Sequence, residues 1–103
     1  MSEEDIFEKL KYKITVDDLG TKRYLNSNNE LHRIDGPAVI FPDGEVLWCV
    51  NGRLHREDGP AIINASGSQF WYYCGLLHRD DGPAIIYNNG DEEWYRNGIR
   101  IND

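Results

Sequence analysis

The segment Leu31-His32-Arg33-Ile34-Asp35-Gly36-Pro37-Ala38 returns as Leu54-His55-Arg56-Glu57-Asp58-Gly59-Pro60-Ala61 and again as Leu77-His78-Arg79-Asp80-Asp81-Gly82-Pro83-Ala84, 23 residues apart each time. Trp48, Trp71 and Trp94 keep that spacing, as do Gly44, Gly67, Gly90 and Gly52, Gly75, Gly98. Recurrence at a fixed short period marks units that bury their apolar sides against one another. Two strands and their turns fill such a unit and leave no room for a helix. Each copy reads as a hairpin. Residues 37–41 are a short apolar run, Pro42-Asp43-Gly44 is a turn signal, and 45–50 form a second strand. Asn51-Gly52 then closes the unit, because both residues tolerate positive φ. The later copies turn at Ala65-Ser66-Gly67 and Cys74-Gly75, then at Asn88-Asn89-Gly90 and Asn97-Gly98.

The flanks extend the pattern. Tyr24 precedes His32 by eight residues, where each Trp precedes its His by seven, so 21–26 reads as a repeat strand with one insertion. Residues 11–16 are its expected partner across Asp17-Asp18-Leu19-Gly20. Ser2 and Asp5 resemble a capping box opening a short helix to about Leu10. The expected organisation is a cap over 1–20, holding that helix and the first strand, and a repeat domain over 21–103. The repeat domain divides into a degenerate unit 21–30, units 31–53, 54–76 and 77–99, and a partial unit 100–103. The expected fold is mainly β: an elongated antiparallel sheet of stacked hairpins.

Composition narrows the function. With 103 residues, 40 % of them hydrophobic, the chain suits one domain with a thin core. Its 18 acidic and 11 basic side chains give a net charge of −7 and no basic segment. Such a chain is a poor general ligand for nucleic acid or anionic membrane. The start, Met1-Ser2-Glu3-Glu4-Asp5, leads into no apolar run of the signal-peptide kind. Cys49 and Cys74 are then expected as reduced thiols and the chain as cytoplasmic.

The repeated His-Arg-x-Asp invites a metal reading through His55 and Asp58, but lone histidines make weak ligand spacing. One device stamped in every copy points instead to structure. His32, Arg33, Asp35, His55, Arg56, Asp58, His78, Arg79 and Asp81 are assigned that role, with Trp48, Trp71 and Trp94 as a core ladder. The Asp is expected to accept turn N–H groups, the Arg to pair with an acid, and the His to pack under the turn. Ser27, Ser66 and Ser68 sit in turns or beside them, and the two cysteines occupy different repeat columns. Nothing assembles a nucleophile with a base, and no glycine loop heads a helix. The chain is expected to be no enzyme and to need no cofactor or metal.

Trp48/Asn51/Gly52/His55/Gly59 and their equivalents, with Cys74 in place of the Asn, resemble the MORN repeat (membrane occupation and recognition nexus) over residues 24–103. The usual Tyr-x-Gly-x-Trp is absent, and His-Arg-x-Asp-Gly-Pro-Ala replaces the usual His-Gly-x-Gly. This variant is similar to short repeat proteins of bacteria, phages and large DNA viruses. The resemblance implies an elongated sheet with a binding or scaffolding role, in a host cytoplasm if the source is viral.

Strand alternation separates the Trp column from a mixed face carrying Leu47, Cys49, Phe70, Tyr72 and Tyr95. A position repeated for stacking stays uniform, whereas a binding position is free to vary. Phe70, Tyr72, Tyr95 and Leu47, rimmed by Glu92 and Glu93, are therefore the candidate partner-binding set. The expected function is a non-catalytic interaction module for another protein, a homodimer included. The alternative is a small acidic effector that inhibits or sequesters a host defence component, as a nucleic-acid mimic through its acidic runs.

Overall fold

The computed structural model describes residues 12–101. The helix expected over 2–10 lies outside them, and the described residues contain no helix. They form thirteen short strands: β1 (Lys13–Val16), β2 (Lys22–Leu25), β3 (Val39–Ile40), β4 (Val46–Leu47), β5 (Cys49–Val50), β6 (Arg53–Leu54), β7 (Ile62–Ile63), β8 (Gln69–Phe70), β9 (Tyr72–Tyr73), β10 (Leu76–Leu77), β11 (Ile85–Ile86), β12 (Glu92–Arg96) and β13 (Ile99–Ile101). Nine build one sheet in the order β1-β2-β3-β4-β7-β8-β11-β12-β13, and β5-β6 and β9-β10 are two small side ladders. Every pairing is antiparallel. The molecule is mainly β, with principal extents of 51 × 26 × 23 Å.

The turns follow local chemistry. In the first, the Asp17 carboxylate accepts the N–H groups of Leu19 and Thr21 and pairs with Arg23 at 2.9 Å. Asn51/Gly52, Cys74/Gly75 and Asn97/Gly98 all have positive φ, as a two-residue hairpin turn requires. Each of these glycines also donates its N–H to a leucine carbonyl 21 residues earlier: Gly52 to Leu31, Gly75 to Leu54 and Gly98 to Leu77.

In the first two full copies the second strand is not the continuous run expected from sequence. Val46–Leu47 pairs within the main sheet, whereas Cys49–Val50 pairs with Arg53–Leu54. Trp48 stands at the break, its N–H donated to Ala61 and its carbonyl accepting from His55. The strand changes partners there, and the next copy does the same at Trp71. Only Glu92–Arg96 runs through, because it pairs with β11 in its first half and β13 in its second.

Register separates two faces. Arg23, Val39, Leu47, Ile62, Phe70, Ile85 and Glu93 stand opposite one another in successive strands and share one side. Continued by one residue, the same register alternates Tyr24, Ala38, Trp48, Ala61, Trp71, Ala84 and Trp94 on the other. Ala38, Ala61 and Ala84 are completely buried, and the register sets each between two ring-bearing residues. Val39, Ile85, Cys49, Tyr12 and Tyr24 complete the apolar core.

Candidate functional site

The three His-Arg-x-Asp-Gly-Pro loops form a row along the Trp-bearing face, and one local geometry recurs in all of them. The Arg33 guanidinium lies 4.0 Å over the Tyr24 ring, Arg56 3.8 Å over Trp48, and Arg79 4.1 Å over Trp71. A guanidinium over an aromatic face gains from the ring quadrupole. Two further bonds aim it. Nε donates to the Asp two residues on, at 3.1, 3.0 and 3.2 Å. Nη1 donates to the proline carbonyl four residues on, at 3.2, 3.1 and 3.1 Å. The carboxylates of Asp35, Asp58 and Asp81 thus hold the guanidinium, where the sequence suggested turn amides.

The intervening glycine has a spatial cause. A Cβ at Gly36, Gly59 or Gly82 would sit 2.7, 2.9 or 2.8 Å from the Arg Cζ, inside van der Waals contact. The histidine ties each loop to the following turn. Nδ1 of His32, His55 and His78 accepts the backbone N–H of Asn51, Cys74 and Asn97 at 3.0, 2.9 and 3.0 Å. That bond leaves the ring hydrogen on Nε2, which faces Glu57 at 3.5 Å from His55 and Asp80 at 3.0 Å from His78. Tyr73 stands between the two imidazoles, 4.5 Å from His55 and 6.1 Å from His78. In the first loop Tyr12 adds support, its hydroxyl accepting from Ile34 N–H and donating to Asp35. Burial pushes the Asp35 carboxyl up, but bonds from Arg33, its own N–H and Tyr12 outweigh it and leave the net shift downward.

Between successive loops lie two open clefts. One, of about 460 Å³, is lined by Trp48, Arg33, His55 and Arg56. The other, of about 600 Å³, is lined by Trp71, Arg56, His78 and Arg79. Trp48 and Trp71 are half-buried and line these clefts, so they are not enclosed in a core. Glu57, Asp80 and the three loop aspartates stand exposed at the rims. The described residues hold no cluster of three metal-ligating side chains.

Of the partner-binding set, Leu47, Phe70 and Glu93 are aligned across the sheet through Ile62 and Ile85. Tyr72 and Tyr95 lie half-buried, two residues beyond Phe70 and Glu93 on their strands. Both oxygens of Glu93 are occupied, accepting the hydroxyls of Tyr87 and Tyr95 at 3.1 Å each. Bonding to that carboxylate pushes both phenols above their usual range. Glu92 leaves the set. It pairs with Ile86, so it faces the opposite side of the sheet from Glu93. Tyr87 joins, its ring edge-on to Phe70 at 6.3 Å. Its place two residues after Ile85 on an apolar run was the available signal. Cys49 is buried, and desolvation pushes its thiol up to about 11, whereas Cys74 is exposed.

No family model, curated protein or solved structure matches the chain.

Proposed function

We propose that this chain is a non-catalytic interaction module of stacked, MORN-like hairpin units. It binds another protein, or a second copy of itself, through the face carrying Leu47, Phe70, Tyr72 and Tyr95. One observation carries the reading. Leu47, Ile62 and Phe70 stand half-buried in one row across the sheet, between the buried Val39 and Ile85, and the half-buried tyrosines Tyr72, Tyr87 and Tyr95 flank them. Half-buried aromatics with polar tips are the usual anchors of protein interfaces. The test is Tyr72→Ala, read by sedimentation over a range of concentrations and by capture of partners from lysate. The melting temperature should change little while association weakens by about 2 kcal/mol or more, the usual anchor threshold. Loss of the fold together with binding would make Tyr72 core and sink the reading.

The acidic-effector reading draws on two acidic runs, Glu3, Glu4, Asp5 and Glu8, which lie outside the described residues, and Asp80, Asp81, Asp91, Glu92 and Glu93. That reading therefore rests on charge alone. It requires that binding survive Tyr72→Ala and fail when these acids are neutralised.

A further inference from the structure

We propose that the outer edge of β12 takes, as its next strand, an extended segment of another protein that brings an arginine to the Trp94 ring and a second cation to Glu92. The inference concerns the edge of the sheet and not its Tyr72 face, and it stands apart from the reading above. Its first support is the backbone. Val46 and Leu47 pair with β3 on one side and β7 on the other, and Gln69 and Phe70 with β7 and β11. Glu92 and Glu93 hold the same place in their copy, yet among the described residues they pair with β11 alone. β13 pairs only with Trp94, Tyr95 and Arg96, further along the same strand. The outer side of Glu92 and Glu93 is thus a short strand edge, of the kind a partner strand completes with main-chain hydrogen bonds.

The second support is the ring beside that edge. Trp48 and Trp71 each carry the guanidinium of the arginine eight residues on. The residue eight beyond Trp94 is Asn102, and among the described residues no cation lies over the half-buried Trp94. The chain itself shows how one segment supplies both parts. Arg56 covers Trp48, and Ile62, six residues later, pairs with Leu47. Arg79 covers Trp71, and Ile85, again six residues later, pairs with Phe70. Charge then sets the next position. Val46 and Gln69 stand opposite Ile63 and Ile86, but their equivalent is Glu92, which is exposed and makes no ion pair among the described residues. A lysine or arginine across from it gains an opposite-charge pair. Glu93 makes no such demand, because both its oxygens already accept tyrosine hydroxyls.

The probe is the peptide Arg-Glu-Asp-Gly-Pro-Ala-Ile-Lys, which is residues 56–63 of this chain with lysine in place of Ile63. It is blocked at both ends, labelled with fluorescein, titrated with the full chain and read by anisotropy. One labelled control has glutamine for the arginine, and another has Gly-Gly for Ala-Ile. The parent peptide should bind tightest, and the glutamine control about threefold more weakly, the scale of an exposed cation–ring contact. Glu92→Lys should weaken the parent by about fivefold or more with an unchanged melt, because a cross-strand attraction becomes a repulsion. In Trp94→Leu the parent and the glutamine control should bind alike. Equal binding of the Gly-Gly control would reduce the effect to charge and overturn the proposal. So would the absence of parent binding, a glutamine control as tight as the parent on the wild type, or binding indifferent to Glu92→Lys. None of these outcomes alters what Tyr72→Ala reports about the sheet face.

Discussion

Cys74 has φ of 51°, the left-handed region that its counterparts Asn51 and Asn97 occupy at 50° and 51°. Asn tolerates that region because its short polar side chain bonds locally; a cysteine has no such compensation. Cys74→Asn is therefore expected to stabilise the chain by about 0.5–1 kcal/mol in urea melts. Cys49 makes the opposite kind of prediction. Burial pushes its folded-state thiol up to about 11, above the usual value of about 8.5. The neutral form is favoured by folding, so its contribution is whole below the unfolded value and is lost as pH rises toward 11. Between pH 8 and 10.5 the wild type should lose about 2 kcal/mol more than Cys49→Val. Parallel pH profiles of the two proteins would contradict the assignment. Asp58→Ala removes one of three restraints on Arg56 at an exposed ion pair, and should cost about 1 kcal/mol or less.

At the scale of the element, the hairpins and their turns were legible because turn residues act locally. Asn-Gly needs no distant partner to favour its geometry, and the turn at Asp17 to Gly20 is made by Asp17 itself. The break at Trp48 was not legible. The strand runs straight in its residue pattern, and only the competition between Ala61 and the chain's own hairpin divides it. The lid over Trp48 and Trp71 was hidden for a related reason. Arg56 follows Trp48 by eight residues through a turn, and no helical or strand period links them. The constant offset between Trp and Arg was the signal. Ala61 shows how tightly the result is packed. Ala61→Val would push a branched side chain between Trp48 and Trp71, and should cost about 1–3 kcal/mol by thermal or urea unfolding. A neutral outcome would mean that the rings are free to part.

Across the whole molecule, one loop design is used three times and engages most of its own residues inside the chain. His, Arg, Asp, Gly, Pro and Ala each have a partner inside the chain: a turn amide, a ring, a guanidinium, the space it needs, a donor, and two flanking rings. The loop's x position and the opposite face have none of these duties, and there the copies differ: Ile34, Glu57, Asp80 on the loops and Leu47, Phe70, Glu93 across the sheet. The candidate faces were legible to this extent, since uniform and varied columns separate in the sequence. The same spacing puts Glu93 in the Phe70 column and its neighbour Glu92 on the other side, as the register has them. The central claim is that the repeated motif is a structural lid, and a double-mutant cycle between Gly59 and Arg56 tests it most directly. Gly59→Ala should cost about 1–3 kcal/mol in the wild type, because its Cβ displaces the guanidinium. In an Arg56→Ala background the same change should cost less than about 0.5 kcal/mol, the clash being gone. Equal costs in both backgrounds would contradict the account.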